Sequence, residues 1–167
     1  YSDAGSLLAM LYKAGFAHLA HGPMASDAVR SDATAYRALN WFLRSDPASL
    51  EPSLLTDRRP AVAFNLSIID QLVGTALEPD LTGHVLMLEE VSEALYGVDR
   101  MMFHLTSQAS IRRVAGIRLG RVSDVPANDP DFGQTPEDIV RYWCRRSGIP
   151  YLGLADIGHD GDNKVVP

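Results

Sequence analysis

The chain has 167 residues, 46% of them hydrophobic and 22% charged, enough to bury a sizeable core as one soluble globular domain. Fifteen basic against 21 acidic residues leave a formal net charge of -6, which argues against a nucleic-acid-binding surface. The longest apolar runs, such as residues 85–88, fall far short of the roughly 18 needed for a membrane span, and the single cysteine, Cys144, excludes an internal disulfide framework and fits a reducing compartment.

The chain opens Tyr1-Ser2-Asp3 with no initiator Met and stops in an apolar stretch at Val165-Val166-Pro167. These ends read as those of a processed chain or of a piece of something longer. Over residues 3–14, Ala4, Leu7, Leu8 and Leu11 share one helical face, and Gly15 is set to close it. Residues 16–21 alternate loosely, as a short strand would, before Gly22-Pro23 breaks the pattern. Ser31 or Asp32 can cap a second helix to about Arg44 that buries Tyr36, Leu39, Phe42 and Leu43. Residues 46–60, with Pro47, Pro52 and Pro60, read as a loop or crossover connection.

Asn65 is a good cap for a helix carrying Leu66, Ile69, Leu72 and Val73 and ended by Gly74. Residues 84–91 read as a buried strand that runs straight into acidic residues. A helix over 95–107 follows, with Val98, Met101, Met102 and Leu105 as its core face. Residues 114–122 read as a second strand, interrupted by Gly116 and Gly120. Thr135-Pro136-Glu137-Asp138 is a strong helix start: a capping hydroxyl, proline at the first position, and acids against the helix dipole. Gly148 ends that helix, and residues 149–154 form a third strand. Strands and helices alternate, so the class is α/β, or a mixed α+β arrangement.

Three residue types could carry chemistry. Ser2, between an aromatic residue and Asp3 just before an amphipathic helix, has the setting of a nucleophile on a strand-to-helix elbow. There the N–H of Asp3 could hold a developing oxyanion. The same Ser2 or Asp3 also reads as a plain helix cap. Glu89 closes an apolar strand, where open α/β sheets carry working residues, although charged strand ends are commonly only solvated. Glu89 and Glu90 point to opposite faces of a strand and make a poor acid pair. The segment Asp156-Ile157-Gly158-His159-Asp160-Gly161-Asp162-Asn163 is dense in polar groups, yet it lacks the downstream Glu of a calcium loop and the spaced partners of a zinc site. No metal or other cofactor is expected. A serine at a helix start, a glutamate at one strand end and a histidine beyond another make a complete nucleophile, orienter and base set.

Several strings carry a resemblance. Tyr1-Ser2-Asp3, His21-Gly22-Pro23-Met24, Asn65-Leu66-Ser67, the block from Leu88-Glu89-Glu90 through Asp99-Arg100, Ile117 to Arg121, and Ile157-Gly158-His159 occur in order. Together they resemble the LD-carboxypeptidases, a serine peptidase family that includes microcin C immunity peptidases. The resemblance implies a metal-free Ser-Glu-His peptidase: Ser2 as nucleophile, His159 as base and then acid, Glu89 orienting the imidazole, and the Asp3 N–H in the oxyanion hole. Asn65 and Tyr96 fall to substrate binding. It further implies a cytoplasmic enzyme, a homodimer, and a muropeptide substrate cleaved between a diamino acid and the terminal D-alanine.

It also divides the chain. Residues 1–45 would be the remainder of the nucleophile-bearing α/β domain, 46–64 a connecting loop or crossover, and 65–167 a C-terminal domain carrying the glutamate and histidine. An upstream α/β half of the same enzyme would be the partner that supports the elbow, and the segment alone should be nearly inactive. Departures stand at Ala63-Phe64, where the family has paired glycines, and at Leu95 and Gly97, where it has proline and arginine; Ser92 replaces a glycine and Glu90 an aspartate. Two other functions compete: a microcin-immunity type peptidase or amidase acting on peptidyl-nucleotide toxins, with Phe64 as a candidate to stack on a purine, and a non-catalytic binding remnant of the same fold.

Overall fold

The computed structural model describes residues 2–24, 32–160 and 162–167. Helix α1 (Ala4–Lys13) and helix α2 (Asp32–Arg44) come first, followed by two short 3-10 turns, Pro47–Ser49 and Pro52–Leu55. Then strands and helices alternate: β1 (Ala61–Asn65), α3 (Leu66–Leu72), β2 (Val85–Val91), α4 (Leu95–Ser107), β3 (Gly116–Ser123), α5 (Pro136–Ser147) and β4 (Tyr151–Leu154). The four strands form one parallel sheet in the order β1-β2-β3-β4, so each helix between them is a crossover, as parallel pairing demands.

Side-chain alternation along β2 sets the two faces of this sheet. Leu86 and Leu88 enter the larger core with Ile69, Val98, Met102, Leu105 and Ile139 from the helices. Val85 and Met87 point the other way, into a smaller cluster with Ala63, Ile157 and Val166. With a period of two, Glu89 continues the second set and Glu90 the first. The adjacent acids therefore part company, as the strand geometry requires.

Helix α5 starts as its sequence dictates. Thr135 accepts from the Asp138 N–H, Asp138 returns the bond to the Thr135 N–H, and Pro136 follows the cap. Gly148 ends the helix at φ 77°, a left-handed conformation that suits glycine. Asn65 caps α3 through its side-chain oxygen.

Three elements depart from the sequence pattern. Residues 61–65, at the end of the proline-marked connection, form β1, and their Ala63 and Phe64 are buried. Residues 16–21 form no strand; His21 alone makes an antiparallel bridge, with Val166. In α2, Tyr36, Leu39, Phe42 and Leu43 face outward, Leu43 at 77% exposure. The amphipathic period is there, but the apolar side has no cover among the described residues.

The chain's last residues knit the early segments to the sheet. His21 and Val166 exchange both backbone bonds at 2.8 Å, Val165 donates to Ser49 O at 3.0 Å, and Glu51 donates to Val165 O at 3.0 Å. Helix α1 packs through Gly5, where an added Cβ would sit 3.4 Å from Ile68 and 3.7 Å from Phe64, and through the buried Ala9. No helix among the described residues is long and apolar enough to cross a membrane.

Candidate active site

Glu89 sits at the C-terminal end of β2 and is fully buried. Its Oε2 lies 2.5 Å from Nδ1 of His159, whose side chain is only 12% exposed. A carboxylate at Nδ1 favours the tautomer protonated there, which leaves Nε2 as the nitrogen that can take a proton. The other oxygen of Glu89, Oε1, is buried without a hydrogen-bond partner among the described residues.

The sheet is bent to make this contact. Leu88 pairs with Leu119 but Glu90 pairs with Val122, so Gly120 and Arg121 together stand opposite Glu89. Such an extra residue kinks a strand and re-aims its side chains. Gly120 is needed at this point, because a Cβ there would come within 2.6 Å of Ile157 Cγ1, 2.8 Å of Ile157 O and 3.0 Å of Glu89 Cβ. The strand end and the histidine loop thus meet backbone to backbone beside the glutamate.

The loop itself is tied on several sides. Ala155 donates to Leu119 O and Arg121 donates to Ile157 O, both at 2.8 Å. The Gly158 N–H donates to Asn163 Oδ1 at 3.1 Å, and the Asp156 N–H donates to Oε1 of the buried Glu51 at 3.2 Å. The Arg121 guanidinium binds Asp156 and Asp160, so two carboxylates of the polar tail are already spoken for. Among the described residues no group of three or more His, Cys, Asp or Glu side chains could hold a metal ion.

Ser2 stands just before α1. Its backbone is left-handed, φ 59°, a strained choice for a residue with a Cβ. The Ser2 carbonyl accepts from Gly5 N at 2.8 Å, and Asp3 makes no side-chain cap bond. Ser2 and Asp3 line a cleft of about 460 Å3 with Leu7, Pro23, Met24 and Phe42. His21, next to Gly22 on that cleft, is buried. Burial pulls its imidazole down to about 3, with the charge of His159 adding to the effect. The histidine loop and the segment after α1 are therefore electrostatic neighbours.

Asn65 is engaged where it stands. Its Oδ1 accepts from Ile68 N at 3.3 Å and Ser67 Oγ at 2.5 Å, and its Nδ2 donates to Glu90 Oε1 at 2.8 Å. Glu90, buried, also accepts from Ser67 N at 2.8 Å and Val91 N at 2.9 Å. It is the hub of this turn, a role its sequence position does not reveal. Tyr96 is half exposed in the first turn of α4, with the Arg100 guanidinium 5.1 Å from its ring centroid. At Gly97 a Cβ would fall 2.2 Å from Glu93 Oε1; the carboxylate fills the space a side chain would need. Phe64 lies in the larger core at 4% exposure, so the expectation that it stacks on a purine is not met: its ring is packed against α1.

The parallel α/β sheet carries a hydrogen-bonded glutamate–histidine pair at its strand ends, the usual place for working residues in open α/β sheets. The sequence model of the LD-carboxypeptidase C-terminal domain matches residues 60–167, and the chain belongs to that family.

A Synechocystis protein named for carboxypeptidase activity is 30% identical over 175 residues, covering 100% of this chain and 56% of its own length. The Bacillus subtilis protein named as a murein peptide carboxypeptidase is 27% identical over 106 residues, which is 64% of this chain and 33% of that protein. The crystal structure of muramoyltetrapeptide carboxypeptidase from Oxalobacter formigenes superposes with a TM-score of 0.77 at 22% identity, covering 100% of this chain and 60% of that one. The microcin C7 self-immunity protein in complex with aspartyl sulfamoyl adenosine also gives 0.77, at 17% identity, over 100% of this chain and 61% of that one. The chain thus spans little more than half the length of the first of these relatives. The two structural likenesses, at these identities, establish the fold.

Proposed function

We propose that this chain is the nucleophile helix and C-terminal domain of a serine-type LD-carboxypeptidase that hydrolyses the L,D-peptide bond before a terminal D-alanine in murein tetrapeptides. The observation that carries the reading is the contact of Glu89 Oε2 with His159 Nδ1 at 2.5 Å, the glutamate fully buried and the histidine largely so.

In this mechanism Ser2 Oγ attacks the carbonyl carbon of the diamino acid as His159 Nε2 takes its proton. The negative charge on the carbonyl oxygen develops against the Asp3 N–H at the start of α1, and Glu89 stabilises the imidazolium. Collapse breaks the C–N bond, the imidazolium gives its proton to the departing D-alanine amine, and an acyl-serine remains. Water, deprotonated by His159, then releases the shortened peptide and restores the serine. The left-handed Ser2 supports this assignment, because an elbow that exposes a nucleophile is strained in this way.

The upstream α/β half of the same enzyme is the partner in this reading. The outward apolar side chains of α1 and α2 support it, since they are the surface such a half would cover. A homodimer in the cytoplasm goes with the same proposal. Murein peptides come ahead of toxin nucleotides because the relatives similar in sequence are named for carboxypeptidase action and Phe64 is buried.

The test is D-alanine release from a diamino-acid-containing tetrapeptide by the whole enzyme and its Ser2→Ala variant. The variant should lose activity by at least about 10,000-fold with its fold intact. Activity surviving that change would overturn the serine mechanism, and a wild-type enzyme inert on the peptide would overturn the substrate.

A further inference from the structure

Arg121 is given no task by the proposed triad, yet it touches the frame that holds Glu89 and His159. Its Nη2 donates to Asp160 Oδ1 at 2.8 Å, its Nε donates to the second oxygen of Asp160, and its Nη1 donates to Asp156 Oδ1 at 2.6 Å. The two aspartates bracket His159 in the loop. The Arg121 N–H also holds the Ile157 carbonyl at 2.8 Å. Gly158 lets the side chain lie close, since a Cβ there would be 2.9 Å from Arg121 Nε and 3.0 Å from Arg121 Cβ. Arg121 also belongs to the bulge that stands opposite Glu89.

We propose that Arg121 is a positioning residue, whose fork on Asp156 and Asp160 sets the loop that presents His159 to Glu89 and so aims the imidazole at the reacting hydroxyl. The proposal rests on the peptidase reading given above. Its physical basis is the difference between holding and orienting. A guanidinium that grips both oxygens of one carboxylate fixes angle as well as distance, which a point charge on a lysine cannot do. The Arg121, Asp156 and Asp160 side chains are each a third or more exposed, so solvent screens their pairing and the clamp adds little to global stability. Aim is what remains for it to supply, and a displacement of about 1 Å in a catalytic group can cost about 100-fold in rate.

The test uses the whole enzyme with Arg121→Met, Arg121→Lys and Asp160→Asn. For Arg121→Met, kcat should fall about 100-fold while KM stays within about threefold, because the clamp acts on the histidine loop and is given no contact with the peptide. Arg121→Lys should recover only part of that loss. Asp160→Asn should follow Arg121→Met, in a milder form. The melting temperature should move little in all three. The downfield Nδ1 proton resonance of the His159–Glu89 pair, sharp in the wild type, should broaden or vanish in Arg121→Met.

Retained kcat with the resonance unchanged would overturn the proposal. So would a fall in kcat matched by a collapse in melting temperature across all three variants, since that is a structural role. A wild-type enzyme that does not cleave the peptide would fail the peptidase reading instead. The resonance comparison would still decide whether Arg121 orients the imidazole.

Discussion

The two sides of the site are built differently. The glutamate–histidine side hangs on a sheet whose inner residues, among them Leu86 and Ile117, are fully buried, as is Ile157 in the histidine loop. The histidine loop is hydrogen-bonded to β3, to Glu51 and to Asn163. The serine side consists of α1 and α2, which turn Leu7, Met10, Tyr36, Phe42 and Leu43 outward. One half of the machinery is positioned by its own surroundings, and the other half shows the apolar surface of something meant to be covered. In the proposed triad the difference would divide the members by their supports: Glu89 and His159 share one scaffold, while Ser2 would depend on another.

The largest expected effect breaks this comparison outright. If residues 1–167 are expressed alone and compared with the whole enzyme, D-alanine release should drop by about 1,000-fold or more, since a serine out of attack geometry forfeits most of the advantage of orientation. The downfield proton of the His159–Glu89 pair should persist in the same sample, because its supports lie within the segment. Full activity in the isolated segment would show that the serine side needs no further support, and the contrast would fail.

The second effect falls at the seam between the two sides. Burial draws the His21 imidazole from its ordinary 6.5 to about 3. Between those values the unfolded chain carries a proton at this residue that the folded chain does not, so stability rises with pH across the window and is lost on acidification. The slope for one such group is about 1.4 kcal/mol per pH unit. Denaturant titrations from pH 6.5 downward should therefore be flatter for His21→Gln than for the wild type, whatever their absolute levels. Parallel slopes would mean that His21 accepts its proton in the folded state and that the seam is open to water.

What could be read from the sequence follows the range of each interaction. The ends of α5 were legible because Thr135, Pro136 and Asp138 at its start and Gly148 at its end each act within one turn of the backbone. The parting of Glu89 from Glu90 was legible because strand alternation needs no knowledge of the fold. Strand β1 was not, because five residues after a proline-rich connection carry no period, and only pairing with β2 makes them a strand. The exposed face of α2 shows the same limit in reverse: periodicity states which side is apolar, not what covers it. Glu90 as the hub of the Asn65 turn and Arg121 as the clamp on the histidine loop join residues 25 and 39 positions apart, and nothing local announces such contacts. The Ile117-to-Arg121 string resembles the family in sequence, while the work of its arginine is visible only in three dimensions.

The smallest expected effect sharpens the comparison most, because it sets one serine against another. Ser2 and Ser92 both have φ 59°, a conformation that costs an L-residue about 1–2 kcal/mol. On the serine side that strain falls at a half-buried residue just before a helix, where the proposed chemistry would use it. On the sheet side, Ser92 is an exposed turn residue whose N–H donates to Ser123 O at 2.9 Å, a bond that glycine keeps. Ser92→Gly should therefore relieve strain, and part of the gain is offset by the greater freedom of glycine in the unfolded chain. A net stabilisation of about 0.5–1 kcal/mol is expected, read as a rise of about 1–4 °C in melting temperature, with kcat/KM unchanged. If activity falls instead, the Ser92 hydroxyl has a part in the site, and strain at the end of β2 is functional there, as the proposal has it for Ser2.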